Sequence, residues 1–218
     1  MLIIFDLDDT LIDTSGSVTP FKMKECLKLL VREGLSIENF DRSYQELLAI
    51  NATSPKSKDA LSRFIERAGG DPGLLESVLR EMTTPLPEDF AIPTTPHAKE
   101  ILEWASRSHR LALVTGGHPP FQREKLKKAG IEPAIFSKIY IPEDSIKKPC
   151  YQGLLKEFSV PPQQVLVCGD RIAMDLAPAH ELGIQTVHMR WGRGAQGQTE
   201  AWIRHAISDL TELKRIVR

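Results

Sequence analysis

The stretch IIFDLDDTLIDT, residues 3–14, decides the fold class of this chain. The apolar run of residues 2–5 leads directly into Asp6, Asp8 and Asp9. A short, continuous apolar run of this kind is typical of a strand that is buried on both faces of a parallel sheet. Carboxylates this close together repel one another, and burying them is costly unless a cation or a proton compensates. We therefore predict a strand that holds a cation at its carboxyl end.

The composition favours a folded, soluble chain without a general affinity for anions. Of the 218 residues, 41% are hydrophobic and 26% are charged, which is typical of a globular protein. The 28 basic and 29 acidic side chains nearly balance, so we expect no nucleic-acid partner and no membrane association. Three cysteines without a paired motif favour a reducing compartment, so we expect a cytoplasmic protein. The sequence leaves open whether it is a monomer or a homodimer.

A helical region separates the first strand from the rest of the chain. From Pro20 to Met82 the apolar residues recur with a helical period, and no convincing strand pattern is found. The individual helices are predicted to start at Pro20 and to cover residues 40–50, 58–70 and 72–82. The next segment, residues 83–96, is dense in proline, which favours an extended linker.

Beyond this linker, strand and helix patterns alternate. The predicted strands cover residues 110–117, 138–142, 164–170 and 184–189. The predicted helices cover residues 98–108, 121–130, 151–158, 174–183 and 208–217, the last with Ser208 as its N-cap. Such alternation indicates an α/β fold with a Rossmann-like parallel-sheet core and right-handed crossovers. We accordingly predict a core domain of residues 1–14 and 90–218 and a small α-helical domain of residues 15–89.

Polar residues gather where the predicted strands end, which is where open α/β sheets carry their active sites. In chain order, the strand ends and the loops after them supply Asp6, Asp8, Thr115, Gly116, Lys147, Lys148, Asp170 and Asp175. Carboxylates bind a hard cation such as Mg²⁺, whereas a hydroxyl, a glycine N–H and an ammonium hold phosphoryl oxygens. A remaining carboxylate could attack phosphorus, and another could move a proton. The set therefore contains the kinds of groups that phosphoryl transfer requires.

Four motifs, in the order DLDDT, VTGG, KKP and GDRIAMD, resemble those of the haloacid dehalogenase superfamily. The resemblance runs from Leu2 to about Leu213, and the four motifs together are far more specific than any one alone. The helical region lies where that superfamily carries a cap insert, which implies that residues 15–89 form a cap domain that closes over the site. The resemblance also implies a Mg²⁺-dependent phosphatase that hydrolyses a phosphate monoester of a small metabolite through an aspartyl-phosphate intermediate.

The resemblance assigns roles to four residues of the first two motifs. It implies that Asp6 is the nucleophile and a metal ligand. Asp8 would be the general acid and base, and its backbone carbonyl would also bind the metal. Dehalogenases usually lack an aspartate at the position of Asp8, because halide removal needs no proton, so Asp8 favours phosphate-ester cleavage. Thr115 and the Gly116 N–H would bind phosphoryl oxygens.

The resemblance likewise assigns the residues of the last two motifs. Lys148 is favoured over Lys147 for neutralising charge on the nucleophile and the phosphate, because it directly precedes Pro149. Asp170 would bind Mg²⁺ directly. Asp175 would bind it through water or support a direct ligand.

Other functions stay open at this point. A phosphomutase would share these residues and return the phosphoryl group to a bound sugar. A catalytically silent binding protein could keep the same fold. A signalling receiver domain is a weaker match, because its phospho-accepting aspartate is not followed by an acidic pair after the lysine.

Several residues near the motifs have simpler interpretations. We interpret Gln122 and Lys125 as structural residues or as part of the pocket rim. Asp9 is expected to orient its own loop. The glycine-rich segment of residues 189–198 is predicted to be a solvated loop.

Overall fold

The chain folds into two units, one built around a sheet and one built from helices. The structure, a computed structural model, describes residues 1–196 and 200–217. The sheet unit comprises Met1–Ser15 and Pro87–Arg218, and the helical unit comprises Gly16–Leu86. The first strand therefore belongs to the sheet unit, although more than 70 residues separate it from the rest of that unit.

Four α-helices make up most of the described helical unit. They are α1 (Thr19–Arg32), α2 (Phe40–Thr53), α3 (Ser57–Arg67) and α4 (Leu74–Glu81). Pro20 lies in the first turn of α1, as predicted, and the Asn39 side chain caps α2 by accepting from the Arg42 N–H at 2.9 Å. The apolar faces of the helices share one core, which includes Met23, Cys26, Leu27, Leu30, Leu47, Ile50, Leu61 and Phe64. Burial of these faces, rather than helix propensity, is the main source of the unit's stability.

Six described strands form one parallel sheet. They are β1 (Leu2–Phe5), β2 (Arg110–Val114), β3 (Lys138–Tyr140), β4 (Val165–Gly169), β5 (Gln185–Met189) and β6 (His205–Ile207). Their order across the sheet is β3-β2-β1-β4-β5-β6. The order reverses between β1 and β4, and ligands of open α/β sheets bind beyond the carboxyl ends of the strands at such a point.

The first strand is buried on both faces, as its continuous apolar run predicts. Leu2 and Ile4 join one core cluster, and Ile3 and Phe5 are also fully buried. Because side chains alternate along a strand, these two pairs lie on opposite faces of the sheet. Leu2 lies opposite Arg110 of β2 and Val165 of β4. The central strands thus end level with one another, which brings the residues after them to one edge.

Helices cover both faces of the sheet, which confirms the predicted α/β, Rossmann-like class. In the sheet unit they are α5 (Ala98–Ser106), α6 (Pro119–Lys128), α7 (Lys148–Glu157), α8 (Ala177–His180) and α9 (Leu213–Ile216). Over the residues that the structure describes, no helix combines the length and the apolar character that crossing a membrane requires.

The C-terminal part differs from the predicted elements. A sixth strand, β6, was not predicted from the sequence, and it pairs with β5 in parallel. The final helical segment begins as a 3₁₀ turn, Leu210–Glu212, and its N-cap is Asp209 rather than Ser208. Asp209 Oδ1 accepts from the Thr211 N–H at 2.8 Å, and Glu212 Oε1 accepts from the Asp209 N–H at 3.3 Å. This reciprocal pairing satisfies two N–H groups at the helix start, which favours the aspartate over the serine.

Two other segments differ in the structure from their predicted secondary structure. The single helix expected over residues 174–183 is a π-helical turn, Ile172–Leu176, followed by the short α8. Pro178 explains the break, because it cannot donate a backbone hydrogen bond to the preceding turn. The loop expected over residues 189–198 contains a 3₁₀ turn, Gly192–Gln196, and its residues 197 and 198 lie outside the described residues.

Neighbouring residues of α1 provide a test of the helical unit's core. Leu30 is 0% exposed and Val31 is 40% exposed. We expect Leu30→Ala to lower the free energy of unfolding by about 2–5 kcal/mol, because it leaves a cavity in the core. Val31→Ala should cost less than about 1 kcal/mol. Urea unfolding followed by far-ultraviolet circular dichroism measures both, and equal losses would contradict the described packing.

Candidate active site

Three buried aspartates meet at the edge of the sheet. Asp6, Asp170 and Asp175 are 6%, 3% and 1% exposed, and each offers a carboxylate oxygen within 4.8 Å of the others. Asp6 directly follows β1, and Asp170 directly follows β4. The cluster therefore lies at the carboxyl ends of the strands, as the sequence predicted, and at the point where the strand order reverses.

The local backbone explains why the aspartates come together. The Asp6 N–H donates to the Cys168 carbonyl at 2.9 Å, which continues the pairing of β1 and β4 past the end of β1. Asp175 lies in the π-helical turn after β4, and its Oδ2 accepts from the Arg171 N–H at 2.9 Å. Gly169 is needed here, because a Cβ at this position would lie 2.6 Å from the Asp175 Cβ. The turn can thus fold back closely onto the strand end.

Lys147 supplies the cation inside this cluster. Its Nζ donates to Asp6 Oδ1 and to Asp175 Oδ1, each at 2.5 Å, and its side chain is 4% exposed. Burial favours the neutral amine, but the charges of Asp175 and Asp6 hold the pKa of Lys147 well above its ordinary value. Lys147 is therefore a buried ammonium shared by two carboxylates.

Two of the aspartates, Asp6 and Asp170, have raised pKa values even with this lysine present. Burial raises the pKa of Asp6 to about 7, although the Lys147 charge opposes the shift. Burial, together with the charges of Asp175 and Asp6, raises the pKa of Asp170 well above its ordinary value. Both shifts mean that ionised carboxylates repel one another in a site with little water. The Arg171 charge opposes the shift at Asp170, and the pKa of that carboxyl nevertheless stays well above its ordinary value.

Asp8 lies in a different environment from Asp6. Lys125 Nζ donates to Asp8 Oδ1 at 2.8 Å, Gln122 Nε2 donates to Asp8 Oδ2 at 2.8 Å, and Thr14 Oγ1 donates to Oδ1 at 2.5 Å. Burial acts to raise the pKa of Asp8, but the Lys125 charge and the three hydrogen bonds outweigh it and lower the pKa. The Asp8 carboxylate points to α6 and is not part of the acidic cluster.

Thr115 and Gly116 follow β2, and both share the partner Gln122 with Asp8. The Thr115 N–H donates to the Tyr140 carbonyl at 3.1 Å, which fixes the end of β2 against β3. Gln122 Nε2 lies 2.6 Å from the buried Thr115 Oγ1 and 3.1 Å from the Gly116 carbonyl oxygen, in addition to its bond to Asp8. Thus Gln122 links the ends of β1 and β2.

The prediction that Lys148 rather than Lys147 contacts the nucleophile was wrong. Lys148 is the first residue of α7, and its Nζ donates to Glu181 Oε2 at 2.6 Å with the side chain 42% exposed. Consecutive residues at a helix start point about 100° apart, so only one of the two lysines faces the aspartates. That residue is Lys147.

The structure brings the other predicted residues to the same edge of the sheet, in two groups. Asp6, Asp170 and Asp175 surround Lys147, whereas Asp8 and Thr115 share Gln122. Gln122 and Lys125, which were interpreted as structural or pocket-rim residues, both contact Asp8. The signal for them was a pair of polar residues three apart on a helix that directly follows a strand-end threonine.

Asp9 has the loop-orienting contacts that its interpretation required. Its carboxylate accepts from the Ser15 N–H at 2.7 Å and from Ser15 Oγ at 2.5 Å. Asp9 also has a φ of 57°, a left-handed conformation that aspartate tolerates better than most residues. These contacts close the loop after β1, in which Asp8 lies.

Comparison with known protein families identifies the family of this chain. A family model described as haloacid dehalogenase-like hydrolase matches residues 1–183. This match covers most of the chain and every residue of the site, so the chain belongs to the haloacid dehalogenase-like hydrolase family. The resemblance inferred from the four motifs is thereby confirmed.

Individual relatives extend over almost the whole chain. A glyceraldehyde 3-phosphate phosphatase of Pyrococcus furiosus is 26% identical over 226 residues, which cover 99% of this chain and 92% of that protein. A glyceraldehyde 3-phosphate phosphatase of Methanocaldococcus jannaschii is 27% identical, over 99% of this chain and 96% of that protein. Among solved structures, a predicted phosphoglycolate phosphatase from Haemophilus somnus superposes with a TM-score of 0.74 at 20% identity. That superposition covers 100% of this chain and 97% of that structure, and it supports the shared fold.

The adjacent lysines give a matched test of the site's electrostatics. Lys147→Met removes the ammonium between Asp6 and Asp175, so the pKa of Asp6 rises further above the value of an unfolded chain. A raised carboxyl pKa costs stability as pH rises through the interval between the two values. We expect Lys147→Met to lower the free energy of unfolding by about 3 kcal/mol or more at pH 8 and by much less at pH 5.

Lys148→Met is the control, since its pair with Glu181 is solvent-exposed and is worth less than about 1 kcal/mol at either pH. Urea unfolding of both variants in EDTA at the two pH values provides the measurement. If Lys148→Met were the more damaging change at pH 8, the described placement of the two lysines would be incorrect.

Proposed function

We propose that this chain is a Mg²⁺-dependent phosphatase that hydrolyses a phosphate monoester of a small metabolite through an aspartyl-phosphate on Asp6. One observation carries the proposal. Asp6 is buried at the point where the strand order reverses, in contact with the Lys147 ammonium and beside Asp170 and Asp175. A nucleophilic carboxylate, a buried cation and further carboxylates within reach are the groups that phosphoryl transfer requires.

The reaction class agrees with the comparisons. The predicted hydrolysis of phosphate monoesters is confirmed by the family match and by relatives along nearly the full chain that are named as phosphatases. Because several of those relatives are named glyceraldehyde 3-phosphate phosphatase, we propose glyceraldehyde 3-phosphate as the first substrate to test for this chain. The cytoplasmic location, the cap role of the helical unit and the oligomeric state stay predictions.

The acidic cluster fits a Mg²⁺ ion by the chemistry of its donors. Mg²⁺ prefers carboxylate oxygens, and three buried carboxylates with raised pKa values in two of them would gain from a divalent cation. Asp6 and Asp170 are the proposed direct ligands. Asp175 already accepts from Lys147 and from the Arg171 N–H, which supports a water-mediated or orienting role. When bound, Mg²⁺ supplies positive charge that offsets the negative charge of the carboxylates and the phosphate.

The first half of the reaction transfers the phosphoryl group to the protein. An Asp6 carboxylate oxygen attacks phosphorus, and the bond between phosphorus and the ester oxygen breaks. Asp8 delivers a proton to that oxygen as it leaves as an alcohol. Its lowered pKa in the structure means that the proton must be gained as the anionic substrate binds, because a nearby negative charge raises a carboxyl pKa. Lys147, Thr115 and the Gly116 N–H stabilise the phosphoryl oxygens.

The second half releases the phosphate. Asp8, now ionised, takes a proton from a water molecule that attacks the phosphorus of the aspartyl-phosphate. The bond between phosphorus and the Asp6 oxygen breaks, inorganic phosphate leaves, and both aspartates return to their initial states. The same group acts first as acid and then as base, so one carboxylate is sufficient for both proton transfers.

The activity is tested by phosphate release from a panel of esters. We expect glyceraldehyde 3-phosphate, other sugar phosphates, phosphoglycolate and phosphoserine to differ in rate, with release that requires Mg²⁺ and stops in EDTA. Asp6→Asn should reduce release by at least about 10³-fold, because an amide cannot serve as the nucleophile. Inorganic phosphate is measured colorimetrically. Transfer to a second hydroxyl without phosphate release would instead favour the phosphomutase.

The metal is tested separately from turnover. Mg²⁺ binds only the folded site, so a concentration well above its dissociation constant should raise the Tm by about 5 °C. Asp170→Asn should abolish this shift, whereas Asp89→Asn, which changes an exposed aspartate of the same unit, should retain it. Differential scanning calorimetry with and without Mg²⁺ gives the values. An equal shift in both variants would place the metal elsewhere.

A further inference from the structure

Two buried polar residues of α6 contact the machinery of the site. Gln122 is 2% exposed and Lys125 is 6% exposed. They lie three positions apart, so their side chains leave the helix on the same face. A buried lysine and a buried amide are costly in a core unless each is well paired, and both point to Asp8. Their arrangement calls for an explanation beyond packing.

The two side chains hold the Asp8 carboxylate in place, because each donates to a different one of its oxygens. Lys125 Nζ lies 2.8 Å from Oδ1, and Gln122 Nε2 lies 2.8 Å from Oδ2. Thr14 Oγ1 adds a second donor to Oδ1. A carboxylate with different donors on its two oxygens cannot rotate about its last torsion without losing one of them. The Asp8 side chain is nevertheless 30% exposed, so it stays accessible to solvent.

Gln122 also sets the direction of the Thr115 hydroxyl. Its amide nitrogen lies 2.6 Å from Thr115 Oγ1, and an amide NH₂ has only donors to offer. The Asp8 carboxylate favours this orientation of the amide, because the amide oxygen in its place would be repelled. The Thr115 oxygen therefore accepts from Gln122, and its own hydrogen is left to donate to another group.

We propose that Gln122 and Lys125 are positioning residues of the active site. Together they hold the Asp8 carboxylate where it exchanges a proton with the leaving oxygen, and Gln122 also orients the Thr115 hydroxyl to donate to a phosphoryl oxygen. This inference rests on the proposed function. It goes beyond that function because it gives a role in the reaction to two residues of a helix that contributes none of the groups that touch the substrate.

The positioning role predicts that the loss of activity depends on the leaving group of the substrate. An alcohol needs a proton to leave, whereas p-nitrophenolate leaves readily without one. Loss of a correctly placed Asp8 should thus slow the cleavage of an alkyl phosphate more than that of p-nitrophenyl phosphate. The quantity to measure is the ratio of kcat/KM for p-nitrophenyl phosphate to kcat/KM for the alkyl monoester that the wild type cleaves best. Both values come from one protein sample, so a partly unfolded variant does not distort the ratio.

The experiment compares Lys125→Met, Gln122→Met and Asp8→Asn with the control Lys127→Met, which changes an exposed lysine of the same helix. We expect the ratio to rise about tenfold or more in the first two variants and further in Asp8→Asn. In Lys127→Met it should stay within twofold of the wild type. Since Thr115 loses its partner too, Gln122→Met should also raise KM for both substrates, and Lys125→Met should do so less.

The outcomes distinguish a failure of the positioning role from a failure of the phosphatase activity. An active wild type with an unchanged or lowered ratio in Lys125→Met and Gln122→Met would overturn the positioning role and leave the phosphatase intact. A ratio that rises equally in Lys127→Met would also overturn it, because the effect would not depend on contact with Asp8. A wild type that cleaves neither substrate in Mg²⁺ would refute the proposed function and this inference with it.

Discussion

The site depends on one electrostatic constraint: three carboxylates are buried within 4.8 Å of one another. Their repulsion and their loss of water oppose ionisation, which is why the pKa of Asp6 rises to about 7. Lys147 relieves part of this stress by contacting Asp6 and Asp175. The Arg171 charge also acts on Asp170, yet the pKa values of Asp6 and Asp170 stay raised, so further positive charge would stabilise the ionised carboxylates. The proposed metal would supply that charge.

Two aspartates that are two positions apart acquire opposite properties from their surroundings. Asp6 faces other carboxylates, and its pKa is raised. Asp8 faces the Lys125 ammonium and the Gln122 amide, and its pKa is lowered. Environment rather than residue type therefore separates the proposed nucleophile from the proposed acid and base. The sheet makes this possible, because β1 ends between β4, which brings Asp170, and β2, which leads into α6.

The motifs predicted which strand ends bring the polar residues together, but not every side chain that lies among them. KKP offers two adjacent lysines, and the sequence pattern favoured Lys148 because of the proline beside it. The start of α7 reverses that choice, since it directs Lys147 to the aspartates and Lys148 to Glu181. Gln122 and Lys125 had the spacing of one helix face. That spacing indicated a shared polar face beside the end of β2, but it did not identify Asp8, more than 110 positions away, as the partner of that face.

By itself, the sequence determined the architecture: apolar runs and helical periods gave the alternating elements, the first strand buried on both faces, and the acidic residues at the strand ends. These are local properties, set by hydrophobic periodicity along the chain. Only the tertiary structure decided the short β6, the Asp209 cap, the choice of Lys147 and the partners of Asp8. Each of these depends on which of several equivalent local candidates lies within hydrogen-bonding distance of a group from another element. Such a distance is fixed only when the strands and helices pack together.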